Sequence, residues 1–215
     1  MIFDFDGLLM DTESTALASW QWEWRRHGLE LDLSDFFAEH GGDVTEERYA
    51  RLAAAVGPGF CRAASHSRRV AYRDTLHADL GLSAGIADWL DEAADLGLRL
   101  AVASSSPRAW VRGHLSRIGV LTRFEILACG DEVTAPKPDP AVYLLALRRL
   151  GLPAAAAVAV EDTPHGVAAA RAAGLCCIAI PNPHADPARF GAAGLVLRSA
   201  ASTGLSLALG HCFRI

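Results

Sequence analysis

The chain has 215 residues, 51% of them hydrophobic and 21% charged, with a formal net charge of −5. This describes a globular protein with a sizeable core, one large domain or a core with a modest insertion. It offers no overall basic footprint for nucleic acid and no apolar run long enough to span a bilayer, so neither is an expected partner. The N-terminus lacks a basic stretch followed by a signal-like apolar segment, which makes the cytoplasm the expected compartment; a monomer is the expected state.

Met1-Ile2-Phe3-Asp4-Phe5-Asp6-Gly7 opens the chain as a short buried strand that runs into a turn at Gly7. If the strand stays regular, Asp4 and Asp6 share one face and Phe5 points the other way. Two carboxylates so close repel unless a cation or a shared proton lies between them, and a hard, oxygen-seeking ion such as Mg2+ is the natural partner. An acidic turn after a strand is common, so this pattern alone decides little.

Residues 14 to about 80 contain little that reads as strand. Ser14 to His27 is helical in pattern, with Thr12 or Ser14 as N-cap and Gly28 past its end. Residues two apart on a helix diverge, so Trp20, Trp22 and Trp24 do not all face one way; the core and rim of a small bundle is the preferred reading. Segments 34 to 40, 44 to 56 and 59 to 80 read as further helices, broken by Gly41-Gly42 and Gly57-Pro58-Gly59.

From Ser83 the pattern alternates: helix 84 to 96, strand 98 to 103, helix 107 to 118, strand 124 to 128, helix 139 to 150, strand 155 to 160, helix 164 to 173, strand 175 to 180, and a last strand at 194 to 197. Alternation of this kind implies parallel strands joined by right-handed crossovers. The expected fold is α/β, a Rossmann-like parallel sheet core (1–12 and 83–215) with helices on both faces and an inserted all-helical domain (13–82). Ser104, Glu161 and Asp162 follow strand-like runs and Lys137 sits in a proline-rich loop. Carboxyl ends of neighbouring parallel strands form a ligand crevice, where these sites are expected to meet.

Lys137 is the only lysine among 20 basic residues, which suggests a need for a compact ammonium on a flexible stem. The five cysteines (61, 129, 176, 177 and 212) show no CxxC spacing, and their odd number suits reduced thiols, with Cys176 and Cys177 as small core residues.

The motifs DFDGLLMDTE (4–13), VASSS (102–106), KPDP (137–140) and VEDTPHGVAAARAAG (160–174) together resemble, in order and spacing, the haloacid dehalogenase-like hydrolases. The likeness is to the phosphatase and β-phosphoglucomutase-like branch, whose helical cap is inserted after the first strand. It implies that strand one is central, between those ending at Ala103 and Val160. It also implies a Mg2+-dependent phosphatase that hydrolyses small phosphorylated metabolites, such as sugar phosphates, through an aspartyl-phosphate.

In that reading Asp4, ionised at an ordinary pKa of about 3.9, is the nucleophile and Asp6 the general acid and base. Mg2+ lies between the Asp4 carboxylate, the Asp6 backbone carbonyl and the Asp162 carboxylate, with Glu161 acting through water or as an orienting residue. Ser104 and the Ser105 amide bind phosphate, Ser106 caps the next helix, and Lys137 offsets the charge of phosphate and Asp4, so that its loss damages catalysis more than folding. His165 and His184 are given no role.

Mutases of the branch carry a hinge histidine where this chain has Ala16, and a cap lysine, which the segment 13–82 lacks. Both departures favour hydrolysis over phosphosugar isomerisation. Dehalogenation of a 2-haloacid needs neither Asp6 nor Asp162, and a four-part site argues against a non-catalytic phosphate binder. Hinges at 12 to 15 and near 81 to 84 are expected to let the cap close.

Overall fold

The computed structural model describes residues 1–33, 36, 44–182 and 185–213. The chain divides into two compact units, one formed by Met1–Met10 with Gly81–Ile215 and the other by Asp11–Leu80. In chain order, β1 (Ile2–Phe3) precedes three helices of the second unit, α1 (Thr12–Arg26), α2 (Thr45–Val56) and α3 (Arg62–Ala78). The first unit continues with α4 (Ile86–Asp95), β2 (Ala101–Ala103), α5 (Arg108–Arg117), β3 (Ile126–Ala128) and α6 (Ala141–Leu150). It ends with β4 (Val158–Glu161), α7 (Pro164–Ala172), β5 (Cys176–Ala179), β6 (Leu195–Val196) and α8 (Leu205–Gly210).

The strands make one six-stranded parallel sheet in the order β3-β2-β1-β4-β5-β6. Ile2 lies opposite Ala101 on one side and Ala159 on the other, so β1 is central, between β2 and β4 as expected. Alternation sends Ile2, Ala101, Ala103, Ala159 and Cys177 to one face, where they pack against Val142, Tyr143, Ala146 and Leu147 of α6 and Val167 and Ala170 of α7. Alanine on the sheet side lets these helices lie close; the buried leucines and valines each contribute about 1.5–3 kcal/mol by leaving water. Phe3, Val102 and Val160 alternate to the other face and are fully buried.

Every strand is shorter than its apolar run. Residues 154 to 156 form a helical turn before β4, and the run at 98 to 103 pairs only from Ala101. The most consequential shortening is in β1, which ends at Phe3, so Asp4 and Asp6 do not lie on one regular strand. The backbone instead turns at Gly7, with φ of 80°, and closes through Gly7 N–H on the Met10 carbonyl (2.8 Å) and Leu9 N–H on the Phe5 carbonyl (3.0 Å).

In the helical unit, Leu17, Trp20, Phe36, Tyr49 and Leu52 form a core with Trp24 packed at its margin. Trp20 and Trp24, four apart, share that face, whereas Trp22 stacks on Tyr72 with ring centroids 4.6 Å apart. The N-cap of α1 is neither Thr12 nor Ser14: Asp11 accepts the Ser14 amide at 3.0 Å, and Thr12 is already helical. The expected helix at 34 to 40 lies, Phe36 aside, outside the described residues, as does His184.

The cysteine expectation is corrected at one pair. Cys176, the first residue of β5, is bonded to Cys212 after α8, with their Cα atoms 5.7 Å apart. A pairing between positions 36 apart in sequence depends on how the C-terminal segment returns to the sheet, which spacing does not reveal. Cys61, Cys129 and Cys177 are free, and Cys177 is the core residue it was expected to be. No described helix is long and apolar enough to cross a membrane.

Candidate active site

The chain leaves β1 at Asp4, β2 at Ser104 and β4 at Asp162, and because these strands are parallel neighbours their ends stand side by side. Asp4, Ser104, Lys137, Glu161 and Asp162 are all buried. Lys137 joins the strand ends. Its ammonium donates to Asp4 Oδ1 at 2.5 Å, to Glu161 Oε1 at 2.5 Å and to the Ala103 carbonyl at 2.9 Å. An ammonium has three hydrogens and here each has an acceptor, a geometry that a planar guanidinium cannot reproduce.

Glu161 is engaged through both of its oxygens. Besides Lys137 its Oε1 accepts the Tyr143 hydroxyl at 2.6 Å, and its Oε2 accepts the Asp162 amide at 3.2 Å. Thr163 caps α7 through the Gly166 amide at 3.0 Å, with Pro164 in the first turn. A Cβ on Gly166 would lie 1.9 Å from Glu161 Oε2, so only glycine lets the start of α7 pass this carboxylate. His165 is half-buried on the same turn.

The carboxylates of Asp4, Glu161 and Asp162 come within 4.8 Å of one another. With Lys137 they leave two formal negative charges, in hard oxygen donors, and that donor set fits a divalent cation such as Mg2+. The expectation of an unperturbed Asp4 is corrected. Burial pushes its carboxyl well above the ordinary range, Lys137 pulls it down, and Glu161 pushes it up again. Ionisation of Asp4 therefore depends on cations placed against it. Burial alone would lower the Lys137 pKa, but Asp4 and Glu161 together raise it, so this residue stays an ammonium.

Ser104 Oγ accepts the Ser106 amide at 3.0 Å, which leaves its own hydrogen to be donated elsewhere. Ser105 is exposed, and its backbone lies so near Gly130 that a Cβ there would sit 2.0 Å from the Ser105 carbonyl oxygen. Ser106 does not cap α5. Pro107 holds the cap position without a side-chain bond, and the Ser106 hydroxyl donates to Asp6 Oδ2 at 2.6 Å. Asp6 is half-buried, and its Oδ1 accepts the Trp110 indole at 3.0 Å.

Sequence reasoning thus missed Tyr143, Gly166, Trp110 and the partner of Ser106. Only Gly166 carried a signal, a glycine opening a helix, where it has no conformational use. Tyr143 and Trp110 sit in helices whose facing residues depend on the crossover.

The chain matches the family described as haloacid dehalogenase-like hydrolase over residues 1–180. YhcW of Bacillus subtilis (strain 168) is 34% identical over 98% of this chain and 96% of that protein. Validoxylamine A 7'-phosphate phosphatase of Streptomyces hygroscopicus subsp. limoneus is 27% identical, with 85% of each chain covered. Among solved structures, that of a CbbY mutant from Rhodobacter sphaeroides in complex with xylulose-(1,5)bisphosphate superposes with a TM-score of 0.72 at 32% identity, covering 95% of this chain and 96% of that one.

Proposed function

The chain belongs to the haloacid dehalogenase-like hydrolases and is a phosphoric monoester hydrolase of that family; from this premise we propose that it is a Mg2+-dependent phosphatase of small phosphorylated metabolites, acting through an aspartyl-phosphate on Asp4. The observation that carries the reading is the ammonium of Lys137 held between Asp4 and Glu161, with Asp162 beside them. A phosphomonoester dianion repels nucleophiles, so an attacking carboxylate must be surrounded by positive charge. Phosphorylated ligands of relatives, among them the CbbY bisphosphate and the substrate named for the validoxylamine enzyme, support the substrate class.

The Asp4 and Asp162 carboxylates, with the Asp6 carbonyl, would hold Mg2+, which would supply charge neutralisation for the phosphoryl oxygens. Asp4 attacks phosphorus while Lys137 holds its carboxylate and offsets the charge that accumulates. The Ser104 hydroxyl and the Ser105 amide grip phosphoryl oxygens. Asp6 gives its proton to the departing alcohol, then takes one from the water that opens the aspartyl-phosphate. The helical unit is the cap domain, and the enzyme acts as a monomer. Ala16, and a lysine-free segment at 13–82, support hydrolysis over the mutase alternative.

A screen of phosphorylated metabolites with Mg2+ tests this, repeated with Asp4→Asn. We expect inorganic phosphate from one or more esters and a loss of roughly 10⁴-fold or more in the variant. Unchanged turnover in Asp4→Asn removes the mechanism, and isomerised product from a sugar bisphosphate replaces phosphatase by mutase.

A further inference from the structure

The acid and base step requires the Asp6 carboxyl to be aimed, and two groups that engage it lie on the turn after β2 and on α5. Ser106 donates its hydroxyl to Oδ2 at 2.6 Å, and Trp110 donates its indole N–H to Oδ1 at 3.0 Å. Trp110 is half-buried in the first turn of α5. Its ring stands edge-on to His114, one turn on, with centroids 4.3 Å apart. His114 in turn packs 6.0 Å from the ring of Phe5, the residue between the two aspartates. The indole is thus held by its own helix and by the strand end whose carboxyl it engages.

The two donors differ in kind. An indole N–H can only donate, whereas a hydroxyl can donate or accept. A carboxyl proton on Oδ1 would point at the indole hydrogen, while one on Oδ2 meets an oxygen that can turn to accept it. Ser106 is itself fixed, because its amide donates to Ser104 Oγ at 3.0 Å, which ties the Asp6 contact to the serine on the phosphate side.

We propose that Trp110 is a positioning residue for phosphoryl transfer: it locks the plane of the Asp6 carboxyl through Oδ1 and leaves Oδ2, with Ser106 as its switchable partner, as the oxygen that exchanges the proton. This rests on the assignment of Asp6 as acid and base. As the bond from phosphorus to the ester oxygen breaks and the bond to Asp4 forms, the proton on Oδ2 passes to the departing oxygen. When water attacks phosphorus and the bond to Asp4 breaks, Oδ2 takes the water proton back, and both aspartates are regenerated.

The test is the single-turnover rate with Mg2+ on a series of aryl phosphates, from p-nitrophenyl phosphate, whose leaving group departs without a proton, to phenyl phosphate, whose leaving group gains more from one. Trp110→Phe keeps the ring and removes the N–H. It should lose about tenfold on phenyl phosphate and less than about twofold on p-nitrophenyl phosphate, so that the plot of rate against leaving-group basicity steepens. Equal losses along the series, or no loss, overturn the proposal. Should Trp110→Phe fail to fold, Ser106→Ala decides, since removing the partner of Oδ2 must steepen the same plot and an unchanged slope defeats the idea. A wild-type protein that releases phosphate from no member of the series and from no metabolite of the screen overturns the phosphatase reading itself, and with it this one. Turnover with parallel plots overturns only the role of Trp110.

Discussion

Lys137 and Arg69 are buried cations, one in each unit, and their surroundings have little in common. Lys137 is bound to two carboxylates and a carbonyl, in a place where a third carboxylate, Asp162, adds to the negative charge. Arg69 donates to the hydroxyls of Tyr49 at 2.8 Å and Ser19 at 3.1 Å, and its guanidinium lies 4.4 Å from the Trp20 ring centroid. The first cation sits among groups that repel one another without it. The second sits among neutral groups and aromatic faces, where a planar, weakly hydrated cation is comfortable. Burial alone therefore does not mark a catalytic residue; the charge left over around it does.

The sharpest way to break this contrast is Lys137→Met. Phosphatase turnover should fall by about 10²- to 10³-fold. Stability should fall too, by about 3–5 kcal/mol in urea unfolding, because two buried carboxylates lose their partner. This revises the expectation that catalysis suffers more than folding. Added Mg2+ should recover part of the loss by binding the folded carboxylates, as a rise in Tm; no recovery would mean that the cation does not bind where Lys137 is missing.

Gly166→Ala is a smaller perturbation of the same region. The new methyl overlaps the Glu161 carboxylate and must turn it away from Lys137 and Tyr143. We expect roughly 1–3 kcal/mol of destabilisation and a clear fall in kcat; a variant as stable and active as the parent would show that Glu161 can move without consequence.

Arg69→Met completes the comparison from the other side. Replacing a cation held by neutral partners should cost about 1–3 kcal/mol of stability and leave kcat on p-nitrophenyl phosphate within about twofold. Its Tm should not recover with Mg2+. A loss of turnover rivalling that of Lys137→Met would give Arg69 a part in the chemistry and dissolve the distinction.

The Cys176–Cys212 bond bears on compartment as well as on packing. Such bonds are rare where glutathione and thioredoxin keep thiols reduced, so the bond runs against the cytoplasmic placement, and counting free thiols in protein isolated under alkylating conditions would settle the pairing.

Much of the fold was legible because periodicity and punctuation are local. Alternating apolar runs placed β1 to β6, and the glycine breaks bounded the helices α2 and α3. Helix ends and strand lengths were read less well, since regular pairing, rather than residue character, decides where a strand begins; residues 98 to 100 and 155 to 157 belong to the expected strands yet lie outside β2 and β4. Side-chain partners were read least well. Ser106 looks like a cap in any sequence with Ser-Pro before a helix, and only the approach of the β1 turn gives its hydroxyl the Asp6 carboxylate instead.

By itself the order of residues determined that acids would follow β1 and end β4, a serine would follow β2 and the lone lysine would fall in a loop, because the first three follow from where an apolar run stops and the last from the prolines on either side of it. Tertiary structure alone decided that the lysine has three acceptors at three corners, that a tyrosine and a glycine fix Glu161, and that an indole holds Asp6. Apart from the approach of Gly166 to Glu161, those contacts join residues 18 to 133 positions apart. Right-handed crossovers bring such residues to one edge of the sheet, and a local pattern carries no record of distances across it.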